Sequence, residues 1–379
     1  MAKLTLKLLL IGLPVLGVAA MNYVFDPSHL FHGFMDGSEQ TIANLLMQNQ
    51  NVAGLPLTFN DREVERLYVE RSNRRLNIMV LGSSRTMEVR SRDFPGLQFF
   101  NHSVSAGTIQ DSFSIYDLYR RWHNTPDAVV LDIDPWAFNI NNSLLHQSAI
   151  LVLDDYADLA ARLGLRRPWR IGPEREWARW AQLVSPALFQ MSVKKAWRGS
   201  SPWTPHSTIQ AADDRMVLLA DGSRRMPARV LNLTPVEVLQ IAATFAANRP
   251  MLALEEYSSL DRVSEEILER FVDVLQEDGV RVVLFLAPYH PVVYSAIKSE
   301  PDYHRVIDAE QFVRQLGTDR HVMVAGSFAP EVAGCSETEF FDAIHPKQRC
   351  VEHILETDHV RDRLFNERFE HVEGVDVDR

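Results

Sequence analysis

Two short segments of the sequence carry side chains that could form a nucleophilic relay. Ser84 stands two residues after Gly82, behind the apolar run 78–81, and Asp342 precedes His345 by three residues near the end of the chain. A serine hydroxyl is a poor nucleophile near neutral pH unless a base takes its proton and a carboxylate orients that base. An Asp three residues before a His can bind the imidazole Nδ1 and leave Nε2 free. A serine in a small-residue turn and an Asp-x-x-His spacing are each common in structural turns. The predicted relay therefore forms only if the two segments meet in the fold.

A regular framework must position these segments, and the apolar pattern of the chain predicts one. Short apolar runs with a β-branched bias and turn residues behind them are typical of buried parallel strands. Helix-like stretches alternate with these runs, which predicts an α/β fold with an open, mostly parallel sheet and flanking helices. In such sheets ligands bind beyond the carboxyl ends of the strands. The predicted strands cover 78–81, 97–101, 128–133, 280–286 and 322–325, and the predicted helices cover 109–122, 264–277 and 309–316.

Other polar and aromatic side chains follow the predicted strands and are candidates for substrate binding. They are Arg85, Asn101, Asp134, Trp136 and His290. Arg85 would either bind an anionic substrate group or cap its own turn. Trp136 would either form the floor of an acyl or sugar pocket or belong to the core. His290 lies between two prolines, so it would either line the site or hold a turn.

Ser105 is the alternative nucleophile. It lies in the sequence Ser-Val-Ser-Ala-Gly, one residue short of the Gly-x-Ser-x-Gly elbow of α/β-hydrolases. His29 and His32 lie one helical turn apart, but a histidine pair without a third ligand is more typical of an incidental spacing than of a metal site. The chemistry predicted from Ser84, Asp342 and His345 requires no metal or organic cofactor.

The first 25 residues predict export and a membrane anchor. Lys3 and Lys7 precede an uncharged run over 8–25 that is rich in Leu, Val and Ala. This layout fits either an uncleaved signal-anchor or a cleaved signal peptide, and a buried soluble helix is the third alternative. Because basic flanks stay in the cytoplasm, the prediction places a single span in the inner membrane and the bulk of the chain on the periplasmic side.

The rest of the chain divides by composition. We predict a helical linker over 26–75, an α/β domain in two halves over 76–136 and 251–360, a helical insertion over 137–250, and a charged, frayed tail over 361–379. Residues 161–200 contain nine Lys and Arg against two Glu. Either this insertion presents a basic, aromatic surface to lipid headgroups or to an anionic or sugar ligand, or its tryptophans pack inward. The insertion holds Trp169, Trp177, Trp180, Trp197 and Trp203.

Composition narrows the classes of function. The net charge of −11 over 379 residues disfavours nonspecific nucleic-acid binding, because neutralising phosphates needs an excess of Lys and Arg. The sequence has neither a Walker A loop nor a Gly-x-Gly-x-x-Gly or His-Glu-x-x-His motif. Cys335 and Cys350 are the two cysteines; an exported protein would join them in a disulfide, and the alternative is two buried thiols.

Taken together, three blocks of the sequence resemble those of the SGNH (GDSL-like) hydrolase superfamily. Within it, the chain looks most like the branch that includes alginate O-acetylation proteins and the D-alanylation protein of teichoic-acid pathways. The resemblance covers roughly 76–136 and 280–350. The blocks are Gly82-Ser83-Ser84, then Asn101-His102-Ser103-Val104-Ser105-Ala106-Gly107, and last Asp342-Ala343-Ile344-His345-Pro346.

The resemblance implies a role for each matching residue. Ser84 would be the nucleophile, His345 the base and Asp342 the residue that orients it. The Ser84 N–H and an N–H of the Ala106-Gly107 turn would form the oxyanion hole.

The resemblance also implies an activity. The chain would be an acyltransferase or esterase that acts on a cell-envelope saccharide, with a multispanning membrane acyltransferase as a candidate partner. The alternative is a catalytically silent module that binds a glycan or such a partner.

Three departures from the family pattern bear on this activity. Ser83 replaces the usual Asp of the first block, and the glycine of the second block falls one place late. Asp134 stands where the third block normally supplies an asparagine that donates to the oxyanion, and an ionised carboxylate can only accept. Losing one such donor typically costs about 10²–10³-fold in rate.

Overall fold

The computed structural model describes most of the chain in twelve stretches. These are residues 2–26, 37–56, 59–122, 124–141, 156–165, 177, 180–198, 204–210, 213–248, 251, 254–255 and 258–365, with side chains of the first helix described from residue 12 onward. The chain splits into two units. The N-terminal unit comprises Met1–Arg74, Val104–His123 and Ser143–Asn232, and the parallel-sheet unit comprises Arg75–Ser103, Asn124–Asn142 and Leu233–Arg379.

The parallel-sheet unit is built on the five strands that the apolar runs predict. All neighbouring strands are parallel, in the order β3-β2-β4-β8-β9, so strands one to five of this unit follow the doubly wound order 2-1-3-4-5. The α/β prediction with a parallel sheet is therefore confirmed. The strands are β2 (Ile78–Leu81), β3 (Phe99–Asn101), β4 (Ala128–Asp132), β8 (Arg281–Leu286) and β9 (Met323–Gly326).

Strand register brings the carboxyl ends of the central strands to one edge. Leu81 of β2 lies opposite Leu131 of β4, and Asp132 of β4 lies opposite Phe285 of β8. The residues that follow β2, β4 and β8 therefore start from neighbouring points. This edge is where a doubly wound sheet places its ligands.

The core lies on both faces of the sheet. Side chains of β2 and β4 are buried throughout, which explains why their sequences are continuous apolar runs without polar alternation. One face packs with residues of the last two helices, such as Ile354 and Leu364. The helices of this unit are α7 (Pro235–Ala247), α8 (Arg262–Glu277), α9 (Pro291–Ser299), α10 (His304–Asp319), α11 (Gln348–Thr357) and α12 (Val360–Phe365).

A disulfide joins Cys335 and Cys350, as the sequence predicts, with 5.3 Å between the two Cα atoms. It links the segment after β9 to the start of α11 and encloses the loop that carries Asp342 and His345. Closing a loop of this length stabilises a fold by about 3 kcal/mol in the chain-entropy model, because the unfolded chain loses freedom.

We expect the double substitution Cys335→Ser and Cys350→Ser to lower the free energy of unfolding by about 3 kcal/mol. Urea denaturation followed by circular dichroism measures this change. Wild-type protein treated with reductant serves as the control and should match the double variant. A wild-type midpoint that reductant leaves unchanged, with both thiols shown to be free, would contradict the prediction.

The N-terminal unit has a second sheet that the sequence analysis missed. Four short strands pair antiparallel in the order β5-β1-β6-β7, so neither 26–75 nor 137–250 is purely helical as predicted. The strands are β1 (Asn51–Ala53), β5 (His206–Thr208), β6 (Val217–Leu218) and β7 (Arg224–Arg225). The helices are α1 (Ala2–Phe25), α2 (Ser38–Met47), α3 (Asp61–Arg71), α4 (Ile109–Arg121), residues 156–163, α5 (Pro186–Arg198) and α6 (Ala228–Leu231).

Two predictions concern the ends of the chain. No helix long and apolar enough to cross a membrane is found among the residues that the structure describes. The predicted frayed tail begins as a helix: residues 361–365 belong to α12, which buries Leu364. The remainder of that tail, 366–379, lies outside the described residues.

Candidate active site

Ser84 lies in a tight turn directly after β2. The backbone of Gly82 passes so close to Asp132 that a Cβ at Gly82 would lie 2.3 Å from the Asp132 Cβ, so only glycine fits there. Ser83 is buried, and its Oγ accepts a hydrogen bond from the Arg85 N–H at 3.1 Å. Ser84 itself is half-buried and can be reached from solvent. The turn therefore presents one serine and buries the other.

The loop with Asp342 and His345 is closed by its own hydrogen bonds. Asp342 Oδ1 accepts from the backbone N–H groups of Ile344 and His345, each at 2.9 Å. The Phe341 N–H donates to the His345 carbonyl at 2.9 Å. These bonds fix the carboxylate beneath the imidazole, because an Asp side chain readily satisfies the backbone of the residues that follow it.

The structure brings Ser84, His345 and Asp342 together in one relay. Ser84 Oγ lies 2.8 Å from His345 Nε2, and His345 Nδ1 lies 2.8 Å from Asp342 Oδ2. With the Nδ1 proton bound to Asp342, Nε2 is left as an acceptor for the Ser84 hydroxyl proton. The side chains of His345 and Asp342 are 20% and 33% exposed. The relay therefore has the geometry of an activated serine and opens to solvent.

Asp342 is held in its ionised form. Burial favours the neutral carboxyl, but hydrogen bonding and charge attraction from His345, with the Ile344 N–H, outweigh burial and keep the pKa of Asp342 below its usual value. An ionised carboxylate can stabilise an imidazolium during proton transfer.

Arg85 binds other parts of the protein, so the prediction that it binds an anionic substrate is corrected. Its guanidinium has no exposed surface and lies 2.8 Å from Asp134 Oδ1. Nε donates to the Ile344 carbonyl at 3.1 Å, and Nη2 donates to the Ala287 carbonyl. The side chain also lies over the ring of Tyr289, 4.1 Å from its centroid. Arg85 therefore ties the Ser84 turn to the end of β8 and to the loop of the relay.

We expect Arg85→Met to lower the free energy of unfolding by about 3–5 kcal/mol, because it leaves Asp134 as an unpaired buried charge. Urea denaturation measures this loss. Arg92→Met is the matched control, since Arg92 pairs with Glu352 but its side chain is 59% exposed. Such a surface pair contributes at most about 1 kcal/mol. Equal losses in the two variants would contradict the role assigned to Arg85.

Two buried carboxyl groups, Asp132 and Asp134, lie at the end of β4, and one of them pairs with the Arg85 guanidinium. Asp134 pairs with Arg85, while Asp132 Oδ2 accepts from the N–H and the hydroxyl of Ser83, each at 3.1 Å. Among the described residues, Asp132 Oδ1 has no hydrogen-bond partner. Burial first, and then repulsion by Asp134, raise the pKa of Asp132 to about 8; burial also raises the pKa of Asp134, although Arg85 opposes it. One positive charge balances one carboxylate, so the raised pKa of Asp132 favours its protonated form at neutral pH.

A raised pKa in the folded state makes stability depend on pH. Between the unfolded value of 3.8 and the folded value of about 8, folding takes up a proton at Asp132. The stability that this proton contributes is fully present below pH 3.8 and is lost as pH rises through 8, with a slope of up to about 1.4 kcal/mol per pH unit. We expect Asp132→Asn to flatten this decline. Urea midpoints measured from pH 5 to about 9 test it, and parallel pH profiles for both proteins would contradict it.

The other predicted substrate contacts of this unit are buried. Asn101 Nδ2 donates to the Thr86 and Val89 carbonyls at 2.9 Å, so it fixes the chain that leaves the Ser84 turn. Trp136 is buried and lies 5.6 Å from the Arg85 guanidinium, as the core alternative predicts. Neither side chain, nor that of Asp134, faces solvent.

His290 is also buried, and the turn alternative describes it correctly. Its Nδ1 accepts from the Val292 N–H at 3.3 Å, which caps the start of α9. The backbone N–H of His290 donates to the Ala343 carbonyl at 3.1 Å and so anchors the loop that carries Asp342 and His345. Burial lowers the pKa of His290 and keeps the ring neutral, although Glu337 and Asp342 oppose this shift.

Ser105, Ala106 and Gly107 belong to the N-terminal unit, where charged side chains surround them. Ser105 Oγ accepts from Arg224 at 3.2 Å, and its N–H donates to Asp61 at 2.6 Å. Within the described part of the chain no imidazole is bonded to Ser105, so it lacks the base that a nucleophile needs.

The backbone N–H groups of Ser84 and Gly107, two of the predicted oxyanion donors, differ in whether they already donate a hydrogen bond. The Gly107 N–H already donates to the Val104 carbonyl at 3.1 Å, and Ala106 adopts a positive φ of 49° in this turn. For the Ser84 N–H, no hydrogen-bond partner is found among the described residues. The Ser84 N–H is therefore available to an oxyanion, whereas the Gly107 N–H is occupied.

Asp132 received no role from the sequence, although it lies next to the end of the predicted strand 128–133. The signal was a carboxylate inside an otherwise apolar run, since a charge in a buried strand needs a specific partner. His29 and His32 lie outside the described residues. No group of three or more metal-binding side chains is found in the described part of the chain.

In comparisons with protein-family models, with curated proteins and with solved structures, no match to this chain was found.

Proposed function

We propose that this chain is an extracytoplasmic, SGNH-like acyltransferase or esterase that works through an acyl-Ser84 intermediate. The observation that carries the proposal is the unbroken relay of Ser84, His345 and Asp342, with 2.8 Å between each pair of bonded side-chain atoms. The half-buried serine turn at the carboxyl edge of a doubly wound sheet supports the same conclusion.

The reaction has two halves. In the first, Ser84 Oγ attacks the ester carbonyl carbon and its proton passes to His345 Nε2. The tetrahedral intermediate then expels the leaving alkoxide, which takes that proton, and acyl-Ser84 remains. In the second, His345 removes a proton from an acceptor hydroxyl or water, the acceptor oxygen attacks the acyl carbon, and Ser84 Oγ leaves with that proton.

The site lacks the donor that Asp134 would have to provide. Its carboxyl accepts a hydrogen bond from Arg85 and is buried, so it is not directed at a reacting ester. The Ser84 N–H is the donor that remains assigned within this unit. We propose that weaker oxyanion stabilisation slows hydrolysis and lets the acyl-enzyme persist until a saccharide hydroxyl accepts the group.

Localisation and partners form part of the same proposal. The acceptor would be a cell-envelope saccharide, the acyl donor would reach Ser84 from a multispanning membrane acyltransferase, and the N-terminal segment would hold the chain at the inner membrane. The Cys335–Cys350 disulfide supports an oxidising compartment, because such bonds persist outside the cytosol.

An acyl-transfer assay tests the proposal. The full chain is incubated with an aryl acetate, with and without a neutral oligosaccharide, and the released aryl alcohol and the intact protein mass are followed. We expect one acetyl group on the protein and acetylated oligosaccharide among the products. Release of aryl alcohol without an acetylated protein, or at the same rate with His345→Ala, would contradict the acyl-serine mechanism.

The same assay distinguishes a second candidate function, a silent module that binds a glycan or a membrane partner. Asp134 favours it, since a carboxylate that accepts from Arg85 stands where the family pattern has an asparagine that donates to the oxyanion. Binding of the oligosaccharide without any aryl ester turnover would identify this function.

A further inference from the structure

Exposed apolar side chains concentrate on two segments of the N-terminal unit. The first is α1 from residue 12 onward and the second is 177–198, which includes α5. Most large apolar side chains that are exposed in the described part of the chain lie on one or the other. The most exposed on each are Leu13, Leu16 and Val24, and Trp177, Val184 and Trp197, with Trp197 89% exposed. Soluble surfaces rarely cluster large apolar side chains in this way, so the cluster indicates an interaction surface.

The two segments are joined by a buried polar contact. Asn22 of α1 is fully buried, and its Nδ2 donates to the carbonyls of Leu183 at 2.8 Å and Ser185 at 3.2 Å. Ser192 of α5 donates to Asn22 Oδ1 at 2.9 Å. The Asn22 side-chain amide is thus hydrogen-bonded between the two segments, and the side chains that these segments expose to solvent are mainly apolar. We call the exposed faces of these two segments the α1–α5 surface.

The basic residues of this surface indicate which kind of partner it binds. The whole chain carries a net charge of −11, yet the segment 177–198 contains four Lys and Arg and no acidic residue. Lys194 is exposed on α5. Tryptophan beside basic residues is typical of a segment that lies at the boundary between lipid headgroups and acyl chains. Anionic headgroups attract such basic segments, whereas an ordinary apolar protein interface is depleted of lysine.

We propose that the α1–α5 surface rests on an anionic lipid bilayer, with Trp177, Trp180 and Trp197 in the headgroup region. Trp180 is exposed like the other two, so the alternative in which the tryptophans pack inward is excluded for these three. Trp169 and Trp203 lie outside the described residues. The inference does not depend on the chemistry of Ser84, since it concerns the N-terminal unit alone.

An environment-sensitive fluorophore at single cysteines tests the proposal on the full chain. Trp197→Cys and Val184→Cys carry the label on the surface, and Trp122→Cys, whose tryptophan is 62% exposed on the same unit, is the matched control. The native cysteines form a disulfide and do not compete for the label. We expect a blue shift and brighter emission at 197 and 184 with vesicles of phosphatidylglycerol and phosphatidylcholine, and no change at 122.

Further outcomes decide between occupants. We expect Lys194→Gln to lower the partition coefficient for anionic vesicles about fivefold, and high salt to act in the same direction. Emission at 197 and 184 that stays like that at 122 would overturn the proposal, and so would an equal response to pure phosphatidylcholine. A blue shift that grows with protein concentration in the absence of lipid would assign the surface to a second copy of the chain. If Trp197→Cys alters the circular dichroism spectrum, Val184→Cys still decides the question.

Discussion

Replacing Ser84 by alanine is expected to lower kcat for an aryl acetate by about 10⁴- to 10⁶-fold, with KM little changed. The substitution removes the atom that attacks the ester, and His345 then has no nucleophile to deprotonate. The remaining rate would come from substrate binding and from the Ser84 N–H, which alanine keeps. Steady-state kinetics with the purified full chain measure the effect, and the free energy of unfolding confirms that the variant is folded.

Ser105→Ala is the matched control for this prediction. Ser105 is the other serine that the sequence offers as a nucleophile, and its hydroxyl is bonded to Arg224 rather than to an imidazole. We expect this variant to keep its kcat within a factor of about two, since no bond to the reacting ester is assigned to Ser105. Turnover that survives Ser84→Ala and disappears with Ser105→Ala would reverse the assignment of the nucleophile.

Asp342→Asn is expected to lower kcat by about 10⁴-fold. An asparagine amide in place of the carboxylate can donate to His345 Nδ1, which favours the tautomer with its proton on Nε2 and removes the acceptor for Ser84. It also removes the negative charge that stabilises the imidazolium. The same kinetic assay measures this loss, with stability followed in parallel because Asp342 also accepts two backbone hydrogen bonds.

A double variant distinguishes loss of the relay from a general loss of structure. If Asp342 acts through His345, Asp342→Asn combined with His345→Ala should be no slower than His345→Ala alone, because members of one relay are not additive. Losses that multiply would mean that Asp342 contributes independently of His345, and the relay would have to be abandoned.

The parallel sheet and the relay were predictable because their signals are local. The strands at 78–81 and 128–132 are continuous apolar runs, and burial on both faces is what such runs require. The loop with Asp342 and His345 is held by hydrogen bonds between its own residues, so the three-residue spacing is enough to predict that the carboxylate meets the imidazole. The small-residue turn at Ser84 follows the first strand of the sheet directly. Only the meeting of the two segments is long-range, and parallel strands bring their carboxyl ends to one edge.

The antiparallel sheet was missed because its strands are too short for a pattern to show. Val217–Leu218 and Arg224–Arg225 are two residues each, and alternation needs at least four.

The role of Arg85 could not be predicted for a different reason. Arginine is mostly an exposed residue, and this one is buried because its partners converge from far along the chain. The Ala287 and Ile344 carbonyls are 202 and 259 residues away from it in sequence. No residue near Arg85 in the sequence indicates these partners, so the sequence predicts either an anion-binding group or a cap of its own turn.

Labelling by a fluorophosphonate, followed by peptide mapping, tests the central claim most directly. The reagent forms a stable adduct with a serine only where a neighbouring base activates it. The relay predicts one adduct on Ser84 of the wild-type chain, its loss in Ser84→Ala, and much slower labelling in His345→Ala. An unlabelled Ser84 in a folded wild-type chain, or an adduct on another serine, would contradict the account.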